Sequence, residues 1–174
     1  MSFMIARSIE DAVSALADGA RPVAGGSDLV VGARHGAQAL PEKLVAIDRI
    51  RELRTLQVNE SGCRIGAGVT HASLMNDASI IQHYPALADA AALVGSPSTR
   101  NVGTLGGNIM NGSPAMDTGS PLVVLGAQAE LTSASGTRLV GLGEVQRLLL
   151  AAPVQRDVAV GDHRSARRFG YGHG

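Results

Sequence analysis

A pair of glycines, Gly25 and Gly26, stands directly between a strand signal and a helix signal, and this junction constrains the fold more than any other feature. Residues 21–24 form a short segment that is interpreted as a strand. Ser27 or Asp28 offers an N-cap for the apolar stretch that follows, and this pattern predicts a helix to about residue 36. A strand that turns into a helix within two residues is typical of a βα unit.

The segments around this junction repeat the same alternation. Residues 3–6 form an apolar run, Ser8 can cap a helix that Gly19 closes, and residues 43–47 return as a strand. Strands separated by helices of this length favour a parallel sheet. We therefore predict a small N-terminal βαβ lobe over residues 1–52.

Beyond residue 52 the pattern changes to hairpins mixed with helices. Thr70 can cap one helix that runs through Asp77, and Pro85 can begin another that runs to Leu93. Two hairpins are predicted, one of strands 55–58 and 64–67 around a turn at 59–62 and one of strands 130–133 and 137–140. Residues 121–127 are predicted to form a helix. These features predict a second, larger α+β lobe over residues 53–144.

The tail, residues 145–174, differs in composition from the rest of the chain. It is rich in arginine and histidine, and its last ten residues show neither helical nor strand periodicity. Two interpretations remain open: a flexible, disordered basic terminus, or a point at which the reading frame diverges. We treat this tail as an atypical segment separate from both lobes.

Composition excludes several classes of function. Fifteen basic residues balance 15 acidic ones, which argues against nucleic acid or an anionic membrane as a partner. The amino terminus lacks the apolar core of a secretory signal, and no segment approaches the ~18 apolar residues of a membrane span, so we expect a cytoplasmic protein. Cys63 is the single cysteine, and its pattern favours a packed strand residue over a reactive thiol.

The loop around Gly25 and Gly26 has the properties of an anion site. Glycine lets a ligand approach the backbone, and the free N–H groups at a helix start favour an anionic group such as phosphate. The stretch has neither the lysine of a P-loop nor the spacing of a Rossmann motif. A tight turn with Ser27 as an ordinary N-cap remains the alternative.

A second glycine-rich stretch, N-V-G-T-L-G-G-N-I-M-N-G-S-P at residues 101–114, lacks acids, bases and cysteine. We expect its glycines to expose backbone N–H groups to an anion, with polar side chains beside them. Asp117 would repel a phosphate, so we place it at a sugar hydroxyl or at the cap of the next helix. The residues expected to form this anion site are Gly103, Thr104, Gly106, Gly107, Asn108 and Asn111.

Four stretches in order carry a resemblance to a known family. They are P-V-A-G-G-S-D-L-V-V-G at 22–32, G-A-G-V-T-H-A-S-L at 66–74, the run from Gly95 to Thr118, and P-L-V-V-L-G-A at 121–127. Together they resemble the FAD-binding medium subunit of the molybdenum hydroxylases, the family of xanthine dehydrogenase and carbon monoxide dehydrogenase. The resemblance implies an α+β fold of the PCMH type, with FAD in the cleft between a βαβ lobe and a larger α+β lobe.

The resemblance also implies which residues contact FAD. The stretches from Ala24 to Leu29 and from Thr104 to Asn108 would bracket the pyrophosphate, Asp117 would contact the adenosine half, and Gly95 would border the flavin. No catalytic or metal-ligating residue is expected in this chain. The expected cofactor-binding residues are Ala24, Gly25, Gly26, Ser27, Asp28, Leu29, Gly95, Thr104, Gly106, Gly107, Asn108 and Asp117.

The function implied is that of an oxidoreductase subunit that depends on partners. A molybdenum-binding large subunit and an iron–sulfur small subunit, which hold the molybdenum cofactor and the [2Fe-2S] clusters, would send electrons through FAD here to NAD, oxygen or another acceptor. The family continues into a C-terminal lobe that we expect to be missing or replaced, and only Tyr84 is aromatic between residues 4 and 168. We therefore expect weaker retention of the flavin.

Two other classes of function stay open from the sequence. One is a non-catalytic fragment that keeps only the scaffold or a docking surface, and the other is a flavoenzyme domain of the vanillyl-alcohol oxidase type. Among single residues, His35, His71 and His83 share no metal-ligand spacing, so we expect them at the surface or at helix ends. Arg100 could meet a phosphate or anchor a loop through a salt bridge.

Overall fold

The computed structural model describes residues 1–36, 39–60, 62–151 and 158–164. Its amino-terminal part is a three-stranded parallel sheet in the order β1-β3-β2, so the last strand of the three lies in the centre. Two helices connect the strands, as the alternation predicts. The elements in chain order are β1 Ser2–Ile5, α1 Ile9–Ala17, β2 Arg21–Val23, α2 Ser27–Arg34 and β3 Lys43–Ala46.

Local capping explains where the first helix begins. The hydroxyl of Ser8 accepts a hydrogen bond from the N–H of Asp11, and the Asp11 carboxylate accepts one in return from the N–H of Arg7. Both bonds satisfy N–H groups near the helix start. Leu16 and Ala12 are buried on the inner face of α1, which covers the sheet.

The rest of the described chain forms the predicted α+β part. It contains a five-stranded sheet in the order β4-β5-β8-β6-β7, whose five strands pair antiparallel, and seven helices. A single turn of 3₁₀ helix at Glu52–Arg54 precedes it. The elements are β4 Leu56–Asn59, β5 Gly62–Ile65, α3 His71–Asn76, α4 Ala78–His83, α5 Pro85–Leu93, α6 Pro97–Val102, α7 Leu105–Asn111, α8 Gly119–Val124, β6 Gln128–Ser133, β7 Gly136–Gly141, α9 Leu142–Ala151 and β8 Val158–Arg164.

One set of buried side chains runs through both parts of the chain. Ile50 and Leu53 are fully buried at the junction of the two parts, and Leu74 and Ile80 are fully buried among the helices that follow. Burying such side chains contributes about 1.5–3 kcal/mol each. The two parts therefore share a core, and the division at residue 52 is retained as a proposal.

The sequence prediction of both hairpins and of the first helices is confirmed, but three helices, α4, α6 and α7, were not predicted. The helix predicted from Thr70 through Asp77 is confirmed as α3, whose N-cap is Thr70, and a further helix that was not predicted, α4, begins directly after it because Asp77 caps it through bonds to the N–H groups of Ser79 and Ile80. The glycine-rich stretch around residues 101–114, for which we predicted no helix, contains the end of α6 and the whole of α7.

Part of the tail is ordered into the same fold. The boundary at residue 144 lies inside α9, and β8 pairs with both β5 and β6 in the centre of the second sheet. Residues 165–174, predicted to have no periodicity, lie outside the described residues, as do residues 152–157. The tail as a separate segment remains a proposal for those residues.

The interpretation of Cys63 as a packed strand residue agrees with its place in β5. Its side chain is buried. Burial, with a smaller contribution from the charge of Asp77, raises the pKa of the thiol to about 12. A thiol with such a pKa has almost no thiolate at neutral pH, so it is chemically inert in the folded protein.

Candidate functional site

The two glycine-rich loops meet in three dimensions. The Cα of Gly25 lies so close to the end of α6 that a Cβ on it would be 1.7 Å from the carbonyl oxygen of Val102. Beside this contact lies a cleft of about 210 Å³, lined by the β2–α2 junction on one side and by α3, α6 and α7 on the other. The sequence prediction that both loops border one cleft is therefore matched by the geometry.

The β2–α2 junction presents unpaired N–H groups to this cleft. Among the described residues, no acceptor lies within hydrogen-bond reach of the N–H groups of residues 25–29, and α2 has no side-chain cap. The prediction of Ser27 or Asp28 as the N-cap is wrong: the cap is Gly26, whose φ of 70° is left-handed and suits glycine. Without a cap, these N–H groups remain available to an anion.

The N–H groups of Gly103, Gly106 and Gly107 in the second loop are hydrogen-bonded within the protein, which corrects the prediction that they are exposed to an anion. The N–H of Gly103 donates to the backbone carbonyl of Thr99, and the N–H of Gly106 donates to that of Ala67. The N–H of Gly107 donates to the hydroxyl of Thr104. A Cβ on Gly106 would lie 2.5 Å from that of Ala67. These glycines therefore serve close packing of the loop against its neighbours.

Asn108 is held in place by a residue that the sequence analysis did not select. The hydroxyl of Thr118, which is fully buried, donates to Oδ1 of Asn108 at 2.6 Å. This bond uses Oδ1 of Asn108 and not its amide nitrogen. Asn108 also lines the cleft. Asp117 is exposed and does not line the cleft, and its predicted role as a cap is wrong because the N-cap of α8 is Thr118.

The side chain of Arg100, in α6, holds the backbone at Gly95 near the edge of the cleft. Gly95 has a left-handed φ of 48°, and its carbonyl accepts a hydrogen bond of 2.8 Å from Arg100, which also donates to the carbonyl of Val94. Arg100 thus anchors the loop through carbonyls, where we had expected a phosphate or a salt bridge. Gly95 does not line the cleft, whereas its neighbour Val94 does.

His71 is the cleft residue that sequence reasoning missed. It begins α3, but it is buried with 1% of its surface exposed, and its Nδ1 has no hydrogen-bond partner in the described part of the chain. An unsatisfied buried polar atom costs about 1–3 kcal/mol. Burial lowers the pKa of His71, and the charge of Asp117 opposes this only in part, so the imidazole is neutral at pH 7. His35 and His83 are exposed at helix ends, as expected.

Ten of the twelve predicted cofactor-binding residues line this one cleft. Gly95 and Asp117 are the two that do not. The ten that do are Ala24, Gly25, Gly26, Ser27, Asp28, Leu29, Thr104, Gly106, Gly107 and Asn108.

We predict that Thr118→Val weakens ligand binding at the cleft without unfolding the protein. Valine preserves the shape of the buried side chain but removes the donor, so Asn108 loses the bond that orients it, at a cost of about 1–3 kcal/mol. Thr118→Ser keeps the hydroxyl and is expected to retain wild-type affinity. Titration of both variants with FAD checks this, and equal affinities for valine and serine would contradict it.

The fold places one cleft between a βαβ unit and an α+β unit, with glycine-rich segments on both of its walls. Residues 1–156 match the family described as the FAD binding domain in molybdopterin dehydrogenase. The match covers most of the chain, so the chain belongs to this family. Within the described residues, no helix is long and apolar enough to cross a bilayer.

Individual relatives agree with this assignment. The chain is 36% identical over 142 residues to a xanthine dehydrogenase FAD-binding subunit of Escherichia coli O157:H7, which covers 80% of this chain and 48% of the relative. It is 34% identical over 137 residues to the carbon monoxide dehydrogenase medium chain of Afipia carboxidovorans, covering 77% of this chain and 47% of the relative. The chain thus spans about half the length of these relatives.

A solved structure shows the same architecture. Carbon monoxide dehydrogenase from Hydrogenophaga pseudoflava, in a form that lacks the Mo-pyranopterin moiety, superposes with a TM-score of 0.84 at 29% identity. The superposition covers 92% of this chain and 57% of that one. The FAD-binding fold predicted from the sequence is confirmed.

The residues of the cleft fit a dinucleotide. A pyrophosphate needs free donors, and the N–H groups of residues 25–29 have no acceptor within the described part of the chain. They lie at the positive end of the α2 dipole, which further favours an anion.

Proposed function

We propose that this chain is the FAD-binding part of a molybdenum-containing hydroxylase or dehydrogenase, in which bound FAD relays electrons from iron–sulfur clusters of a partner subunit to NAD, oxygen or another acceptor. The observation that carries the proposal is the set of unpaired N–H groups at residues 25–29 in the cleft. Membership of the FAD-binding family supports the choice of ligand. The cytoplasmic location stays a prediction.

In this proposal the protein binds and orients its cofactor and carries out no acid–base step. The N–H groups of residues 25–29 bind the pyrophosphate, since they are donors without acceptors. The loop from Thr104 to Asn108 forms the opposite wall, where Thr104 and Asn108 are fixed by bonds to Gly107 and Thr118. FAD supplies the redox chemistry, and the protein sets its position and surroundings.

Asp117 and Gly95, the two predicted residues that do not line the cleft, are assigned in this proposal to contacts at the two ends of FAD. Asp117 is exposed, and its charge is near enough to His71 to influence the pKa of that residue. This position suits a hydroxyl of the adenosine half, to which a carboxylate can accept a hydrogen bond. Gly95 stands one residue after Val94, which lines the cleft, and we assign it to the flavin end.

Partner subunits are the second half of the proposal. The matched relatives are named a FAD-binding subunit and a medium chain, which supports assembly with a molybdenum-binding large subunit and an iron–sulfur small subunit. A thiolate-ligated cluster needs several cysteines, whereas this chain has only Cys63, which is buried. The clusters and the molybdenum cofactor are therefore assigned to partners.

The test is titration of the purified protein with FAD, followed by flavin fluorescence and by thermal unfolding. We expect saturable binding, and stabilisation by about 2.7 kcal/mol when free FAD is a hundred times Kd. ADP, which keeps the pyrophosphate, is expected to compete with FAD, and riboflavin is expected to compete weakly. If FAD neither binds nor shifts the unfolding temperature, the alternative of a scaffold or docking fragment is favoured.

A further inference from the structure

The helix α2 begins at the cleft, but the rest of the protein gives it little support. Gly25, just before the helix, is held close to the carbonyl of Val102. Beyond that point none of the eight residues of α2, Ser27–Arg34, is buried. Val30 is 47% exposed and Val31 is 55% exposed. The helix therefore contributes no side chain to the core that the two parts of the chain share.

The first helix shows what supports a helix of similar length in this protein. α1 has a side-chain cap, Ser8, and it buries Ala12 and Leu16. α2 has neither feature, since its N-cap is Gly26, which has no side chain to offer. Short helices in proteins owe most of their stability to the packing of one face and to their caps. α2 lacks both of these sources of stability.

The sequence of α2, S-D-L-V-V-G-A-R, does not compensate for this lack. Two valines and a glycine stand in its interior, and all three are poorer helix formers than alanine. Isolated helices shorter than about 12–15 residues are marginal in water. Asp28 in the first turn and Arg34 in the last favour the helix dipole, but both are exposed, so the effect is small.

We propose that α2 is only partly populated as a helix in the free protein, and that a phosphate group bound at its first turn completes it. Such a group accepts hydrogen bonds from the N–H groups of residues 25–29, which have no acceptor in the described part of the chain. It thereby replaces the missing cap and lies at the positive end of the helix dipole.

This inference rests on the proposed function, because the phosphate group is that of FAD. It adds that binding and folding of α2 are coupled. The measured affinity for FAD is then the affinity of the complete site, reduced by the fraction of free molecules in which α2 is formed. Any change that stabilises α2 alone should therefore tighten binding without touching the ligand.

Amide hydrogen exchange of the wild-type protein tests the coupling without any substitution. The N–H of Val30 donates to the carbonyl of Gly26 in the first turn of α2, and the N–H of His35 donates to that of Val31 in the last turn. These amides report the opening of the helix and not the occupancy of the free donors. In the free protein we expect their protection to be at least about tenfold lower than that of the amides inside α1. FAD and ADP should protect them, whereas adenosine, which has no phosphate, should not.

Two substitutions change the helix propensity of α2 in opposite directions. Nothing lies within 4 Å of a Cβ built on Gly32, and we expect Gly32→Ala to raise the affinity for FAD and ADP about two- to fivefold, because alanine favours the helix. Ala33→Gly is expected to lower both affinities. Neither position lines the cleft, so neither substitution alters a contact with the ligand.

Ser14→Gly is the matched control, since Ser14 is exposed in α1, which the core supports. It is expected to lower the stability of the free protein and to leave the affinity for FAD unchanged. Amides of free α2 that are as well protected as those of α1 overturn the inference and leave the proposed function intact. Affinities that stay at the wild-type value in both Gly32→Ala and Ala33→Gly do the same. A wild-type protein that binds neither FAD nor ADP contradicts both proposals.

Discussion

Replacement of Gly25 with alanine is expected to lower both the stability of the protein and its affinity for FAD. The new Cβ would lie 1.7 Å from the carbonyl oxygen of Val102 and 2.4 Å from its carbonyl carbon. Both atoms belong to the backbone, so the clash is relieved only if the two loops move apart. Overpacking of this kind costs roughly 1–3 kcal/mol and occasionally more. Thermal unfolding and FAD titration measure the two effects.

Gly32→Ala is the matched control, because Gly32 lies in α2 and nothing is within 4 Å of a Cβ built there. This change is expected to be neutral or to stabilise the protein by about 0.5–1 kcal/mol, since alanine is the better helix former. If Gly25→Ala were as stable as Gly32→Ala and bound FAD with wild-type affinity, the close contact between the loops would be refuted.

Replacement of Gly106 with alanine has the second largest expected effect. A Cβ there would lie 2.5 Å from Cβ and 2.8 Å from Cα of Ala67, across the hydrogen bond that joins α7 to the end of β5. The displaced helix carries Asn108, so we expect a loss of stability of about 1–3 kcal/mol together with a weaker affinity for FAD. Denaturant unfolding and FAD titration check both results.

The double variant Ala67→Gly/Gly106→Ala separates this contact from other causes. Removal of the Ala67 methyl group eliminates the contact at 2.5 Å but leaves Cα and the carbonyl oxygen at 2.8 Å, so we expect partial recovery of stability. Gly143→Ala serves as the neutral control, since nothing lies within 4 Å of a Cβ at that position. Additive effects of the two substitutions would contradict the account, because residues in contact are expected to couple.

Local patterns were sufficient to predict the strands and helices of the first fifty residues. Ser8 caps α1, and the helix-linked strands pair parallel, both as expected. The hairpins were equally local, since each depends on a short turn between two β-rich segments. The family resemblance then placed FAD in the cleft, which no periodicity alone could do.

The remaining features depend on contacts between distant residues. The sequence of the second loop alone predicts that its glycines expose their N–H groups. In the structure Gly106 packs so closely against Ala67 that a Cβ would clash, and its N–H is bonded to the carbonyl of Ala67. His71 has the sequence signal of an ordinary first helical residue, and only the fold buries it beside Gly103. The strand β8 was missed because its partners β5 and β6 lie far away in sequence.

The most direct test of the central claim is amide hydrogen exchange at residues 25–29 with and without FAD. These N–H groups have no protein acceptor among the described residues, so they should exchange rapidly in the free protein. We expect strong protection of these amides when FAD binds, and little change at Gly106 and Gly107, whose N–H groups are already bonded. Saturating FAD that leaves exchange at residues 25–29 unchanged would contradict this expectation.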